Sequence, residues 1–102
     1  MKVEFLNDIN SKALENLCVK KLMKLEKFYK GGEPTVSVGF YIDNREHLVT
    51  LSSRYNGFDL KAKGKSEDMY KSLDIAIDNL KDQITKNKYD NKTKRKEREY
   101  SF

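Results

Sequence analysis

The run "KKLMKLEKFYK" places five lysines within eleven residues, Lys20, Lys21, Lys24, Lys27 and Lys30, and only Glu26 offsets them. At helical pitch Lys20, Lys24 and Lys27 share a face, Lys21 sits one position round, and Lys30 follows at the end. Cations near a helix C-terminus are favourable in themselves, but five exceed what the dipole requires. A row of ammoniums at this spacing suits a phosphate backbone, giving affinity and salt dependence with little sequence readout. Other chemistry is sparse. His47 is the only histidine and adjoins a turn, where a solvated side chain is expected. Cys18 is the only cysteine, has no histidine near it in sequence and falls on an apolar helical stripe. Asp74, Asp78 and Asp82 recur every four residues, a spacing at which like charges repel slightly, so a solvated acidic stripe is expected. No metal-ligand spacing, Gly-rich phosphate loop or nucleophile elbow occurs. The sequence reads as a binding protein, not an enzyme, with no cofactor.

The elements that must carry these residues follow from periodicity. Val3 and Phe5 alternate with polar neighbours in a short strand. Leu14, Cys18, Leu22, Leu25 and Phe28 recur at three- and four-residue steps, which predicts a helix over 11–29, capped by Asn10 or Ser11 and ended by Gly31–Gly32. After Pro34 the period falls to two. Val36, Val38, Phe40 and Ile42 are expected inward, and Thr35, Ser37, Gly39 and Tyr41 outward. A second strand over 47–55 directs Val49, Leu51 and Tyr55 to its apolar face. Asn56–Gly57 then marks a tight hairpin. The next strand turns Phe58, Leu60 and Ala62 inward, and the closing helix over 66–88 has Ser66 as its expected N-cap. Met69, Leu73, Ile77, Leu80 and Ile84 form its buried stripe. Tyr29, Tyr41, Tyr55, Tyr70 and Phe58 read as core or sheet-face packing. The fold class is α+β, in the order β-α-β-β-β-α. A parallel first pair requires the helix as a right-handed crossover. The economical result is two layers, a four-stranded sheet with both helices on one face.

A chain of 102 residues with 37% hydrophobic and 36% charged content supports one domain with a modest core. No apolar run approaches the ~20 residues that span a bilayer. The start shows no signal-peptide pattern, and a lone cysteine suits a reducing compartment, so a cytoplasmic location and no membrane are expected. The net charge of +5 is uneven: residues 1–85 hold 14 Lys/Arg against 13 Asp/Glu, and residues 86–102 hold seven against three. A domain over 1–88 followed by a basic, flexible tail over 89–102, carrying Lys92, Lys94, Arg95 and Lys96, is expected.

"SEDMY" directly after a strand, with Asp74 and Asp78 spaced beyond it and "KKLMKLEKFY" ending the first helix, resembles the ribosome hibernation promoting factors. These are also called ribosome-associated inhibitor or sigma-54 modulation proteins. The resemblance covers about residues 1–88. It implies a β-α-β-β-β-α fold similar to double-stranded-RNA-binding domains. It also implies binding in the mRNA and tRNA channel of the small ribosomal subunit, against 16S rRNA, so that idle ribosomes stay inactive in stationary phase or stress. Carried over by position, the RNA-binding residues are Lys21, Lys24 and Lys27 in the first helix and Lys86 and Lys88 in the second.

This sequence departs from the family's pattern in two places. "DNLKDQITKNK" stands where the family usually reads like "DKLERQLRKYK", so Asn79, Asp82 and Thr85 occupy positions that are commonly basic. Lys81 supplies one charge there, and the lysine-rich tail compensates in part. A Gly-Asn-containing segment usual between first strand and first helix is missing. With no further C-terminal domain before Phe102, the chain resembles a short form. Two alternatives stay open, a module for another structured RNA and a protein-interaction domain. The latter would use the free sheet face, lined by Thr35, Ser37, Tyr41, Lys61 and Lys63. No DNA partner is expected, and the chain is expected to be a monomer or weak dimer.

Overall fold

The computed structural model describes residues 1–7, 11–29, 34–55 and 57–89, with side chains as far as Thr85. Strand β1 (Lys2–Phe5) runs parallel to β2 (Thr35–Asp43), which only a crossover can achieve, and helix α1 (Lys12–Leu25) provides it. Strands β3 (Glu46–Tyr55) and β4 (Phe58–Ser66) follow as antiparallel neighbours, giving the sheet order β1-β2-β3-β4. Helix α2 (Met69–Tyr89) closes the chain.

Register aligns the apolar residues into columns across the sheet. Val3, Val36, Ser53 and Leu60 form one, Phe5, Val38, Leu51 and Ala62 the next, and Phe40, Val49 and Gly64 the third. They share a single core with Leu14, Cys18, Leu22 and Leu25 of α1 and with Met69, Leu73, Ile77, Leu80 and Ile84 of α2. Both helices therefore cover one face of the sheet, as the sequence predicts. A fully buried side chain such as Leu22 or Leu80 contributes about 1.5–3 kcal/mol by leaving water. Gly64 makes the closest approach: a β-carbon there would stand 1.9 Å from the Ser72 carbonyl oxygen and 2.6 Å from the Ala76 nitrogen. Backbone of α2 lies directly on backbone of β4.

The ends of the elements depart from the sequence expectations in four ways. Helix α1 is shorter than 11–29, because its last turn tightens into a 3-10 turn over Glu26–Phe28 before Tyr29 goes extended. Ser11 caps it, its hydroxyl accepting from the Leu14 amide at 3.2 Å. Ser66 is not the cap of α2, because its pairing with His47 keeps it in β4. Asp68 does that work, its carboxylate accepting from the Tyr70 amide at 3.0 Å. Ile42 is 65% exposed instead of buried: it stands one residue from the end of β2, and α2 reaches its column only at His47 and Ser66, through Ser72. Phe58, also expected inward, is exposed at the first position of the edge strand.

His47 is half-buried rather than solvated. Its carbonyl accepts from the Ser72 hydroxyl at 2.6 Å, and its Nδ1 is enclosed without a hydrogen-bond partner among the described residues. Asn7 was not anticipated. Its side-chain amide donates to the Phe40 carbonyl and accepts from the Phe40 amide, extending the β1–β2 ladder by one rung. Both hairpins turn in two residues, with Asn44 (φ 60°) and Gly57 (φ 78°) in the left-handed region that such turns require. Asn10, Gly31, Gly32 and Asn56 lie outside the described residues.

Candidate nucleic-acid interface

Burial of Leu14, Cys18, Leu22 and Leu25 fixes the roll of α1, and that leaves Lys20 and Lys24 exposed. The 3-10 turn then presents Lys27, also exposed, and lays the half-buried Phe28 ring beside α2. Glu26, the one acidic residue of this segment, is occupied by the N-terminal amine of Met1. The lysine row consequently faces outward without a carboxylate of its own.

The neighbouring helix meets this row at two points. Lys21 is only partly exposed, and its Nζ stands 2.8 Å from Asp74 Oδ1 on α2. Asp74 was expected in a solvated acidic stripe; it is instead the partner that ties one lysine of the candidate site across the helix pair. At the second point, the Nζ atoms of Lys27 and Lys81 each lie 5.3 Å from the centre of the Phe28 ring. The fold thus brings Lys81 to Lys27, although 53 positions of chain separate it from Phe28. The sequence assigns Phe28 to the apolar stripe, and nothing local to it signals the second lysine. Asp78 and Asp82 remain exposed.

Asn79 and Asp82 belong to the other flank of α2. Asn79 donates to the Lys63 carbonyl at 2.8 Å and Gln83 to the Lys61 carbonyl at 2.6 Å, along the outer side of β4. With Asp82, Lys61, Ala62 and Lys63 they line an open groove of about 320 Å³. Thr85 turns its hydroxyl back onto the Lys81 and Asp82 carbonyls. Lys61 and Lys63 alternate with buried Leu60, Ala62 and Gly64, so their side chains stand on the sheet face opposite the helices. There Arg54 pairs with Asp59 and Lys65 with Glu46. Lys30, Lys92, Lys94, Arg95 and Lys96, and the side chains of Lys86 and Lys88, lie outside the described residues.

The described residues contain no cluster of three His, Cys, Asp or Glu that would hold a metal. Burial, aided by the charge of Glu15, pushes the Cys18 thiol up to about 12, so at neutral pH it stays protonated and unreactive. Burial likewise raises the Tyr29 phenol, although its hydrogen bond with Ser53 at 2.8 Å acts the other way. Among the described residues no helix is long and apolar enough to cross a membrane. What this surface offers is an array of cations on adjoining helices.

Comparison with known proteins gives this array a context. Over 78 residues the chain is 28% identical to a ribosome hibernation promoting factor of Salmonella typhimurium, covering 76% of this chain and 81% of that protein. A ribosomal subunit interface protein from Coxiella burnetii superposes with a TM-score of 0.74 at 27% identity, over 88% of this chain and 100% of that one. The N-terminal domain of Thermus thermophilus Protein Y shares the fold, with a TM-score of 0.71 at 23% identity over 82% and 92% of the two chains. Residues 5–92, which hold every element from the end of β1 to the end of α2, match the family model described as sigma 54 modulation protein / S30EA ribosomal protein. The chain with lysines joined across two helices belongs to that family.

Proposed function

We propose that this protein is a non-catalytic, cytoplasmic translation inhibitor that binds the small ribosomal subunit and occupies its mRNA and tRNA channel. The observation that carries the reading is the exposure of Lys20 and Lys24 on α1 and of Lys27 in the turn after it, where Lys27 meets Lys81 of α2 at the Phe28 ring, in a member of this family. The names of its relatives, a ribosome hibernation promoting factor and a ribosomal subunit interface protein, support it. Lysines from two adjoining elements oppose the phosphates of 16S rRNA; Lys30, Lys86, Lys88, Lys92, Lys94, Arg95 and Lys96 extend the basic array, and Lys21 is held beside it by Asp74. Inhibition needs no reaction, since a folded domain lodged in the channel excludes the RNAs that use it. The protein acts as a monomer or weak dimer.

Sedimentation of lysate from stationary-phase cells tests the proposal. The protein should travel with 30S and 70S particles at low salt, and log affinity should fall linearly with log salt. Charge reversal at Lys24 and Lys27 should release it from both fractions with its circular dichroism unchanged. Absence of the wild-type protein from these fractions at low salt would overturn the reading. The engagement of Asn79 and Gln83 with β4 favours a second reading, a module for another structured RNA, because that flank of α2 is committed to the sheet. Equal affinity for naked duplex RNA and for 30S subunits would select it.

A further inference from the structure

We propose that Phe28 is a positioning residue that sets Lys27 and Lys81 as a two-pronged clamp on the phosphates of structured RNA; this rests on the ribosome-binding reading above. The two ammoniums come from different elements, the 3-10 turn after α1 and the middle of α2, yet each stands 5.3 Å from the centre of one ring. They are therefore no more than twice that distance apart, a span that suits neighbouring phosphates of one RNA backbone. Neither lies in an ion pair with a carboxylate among the described residues, whereas Lys21 is held by Asp74, Lys65 by Glu46 and Arg54 by Asp59.

Two like charges gathered at one ring repel each other, and phosphates bound beside them relieve that repulsion. The ring itself packs against the core, so its place is fixed by the fold. A ring face attracts an ammonium through its quadrupole. Side chains so held lose less rotamer freedom when they bind than the exposed Lys20 and Lys24 do. This is preorganisation of a cation pair by an aromatic residue that need not itself touch RNA.

The test compares Phe28→Leu, which keeps apolar bulk, with Phe28→Trp, which keeps a ring, after urea unfolding confirms that both fold. Binding is measured to purified 30S subunits and to a short RNA duplex over a salt series. Phe28→Leu should bind each RNA target about fivefold more weakly, and Phe28→Trp should restore binding to within about twofold. Lys27→Gln and Lys81→Gln should be non-additive with Phe28 present and additive in the Phe28→Leu background. Wild-type affinity for Phe28→Leu, or equal loss in both ring variants, overturns the clamp. If the wild type binds the duplex in a Phe28-dependent way but not the 30S subunit, the clamp stands and the ribosomal reading falls. Failure to bind either RNA overturns both.

Discussion

Asp74→Asn swaps a carboxylate for an amide of nearly the same shape at the point where α2 meets Lys21. The ion pair it breaks is 2.8 Å long, with side chains 31% and 57% exposed. Two unit charges at that separation attract by about 1.5 kcal/mol in bulk water. Ordering two flexible side chains and salt screening reduce the net value, for a pair this exposed, to about 0.2–1 kcal/mol. Stability should therefore fall by less than about 1 kcal/mol, read as a small drop in the urea midpoint with the slope m unchanged. RNA binding should move the opposite way. The substitution frees the Lys21 ammonium and removes a negative charge from the side of α2 that adjoins the lysine row. One additional phosphate contact steepens the log–log salt dependence by about 0.7–0.9. Fluorescence anisotropy with labelled RNA, run from about 50 to 200 mM salt, measures this directly. Lys21→Gln is the control, since it loses the same pair but should gain no affinity. An unchanged slope, or weaker binding by Asp74→Asn, would refute the idea that the pair withholds Lys21 from RNA.

Two further predictions concern the scaffold. Gly64→Ala puts a β-carbon against backbone atoms of Ser72 and Ala76, so α2 must lift by roughly an ångström and the cost should reach about 3 kcal/mol. The melting temperature should fall by roughly 12–24 °C, and a loss of only a few degrees would contradict the close helix–sheet approach. Cys18 should make stability fall with rising pH. The folded thiol holds its proton to about 12 while its unperturbed value is 9.0, so between these values the unfolded chain binds fewer protons and unfolding is favoured as pH rises. Stability from this group is complete below about 9. Urea midpoints measured at pH 8 and pH 10.5 should show the decline, and Cys18→Ala should flatten it; an equal decline in the variant would assign it to other groups.

What the sequence reveals about this fold is what depends on near neighbours. Strand alternation, the three-and-four spacing of α1 and α2, the Ser11 cap and the hairpin after Tyr55 are local, and each lies where its residues place it. Ile42 shows the limit of such reasoning, because alternation tells which face a side chain takes but not where helix cover on that face ends. Ser66 and Asp68 compete for one cap within three residues, and the deciding factor is cross-strand pairing with His47. In the candidate interface, the exposure of Lys20, Lys24 and Lys27 follows from their spacing against the buried stripe. The pairing of Lys21 with Asp74 and the approach of Lys81 to Phe28 arise only when α1 and α2 lie side by side.

The hydrogen bonds from Asn79 and Gln83 to the Lys63 and Lys61 carbonyls have a consequence for self-association. Strand β4 ends the sheet, and an outermost strand with open carbonyls invites a strand of another molecule to continue the ladder. Here two successive acceptors on that margin are already taken by amides anchored on a 21-residue helix. An incoming strand would have to displace both to pair along the middle of β4. The middle of this edge strand is thus a poorer template for a strand of another copy than its length suggests.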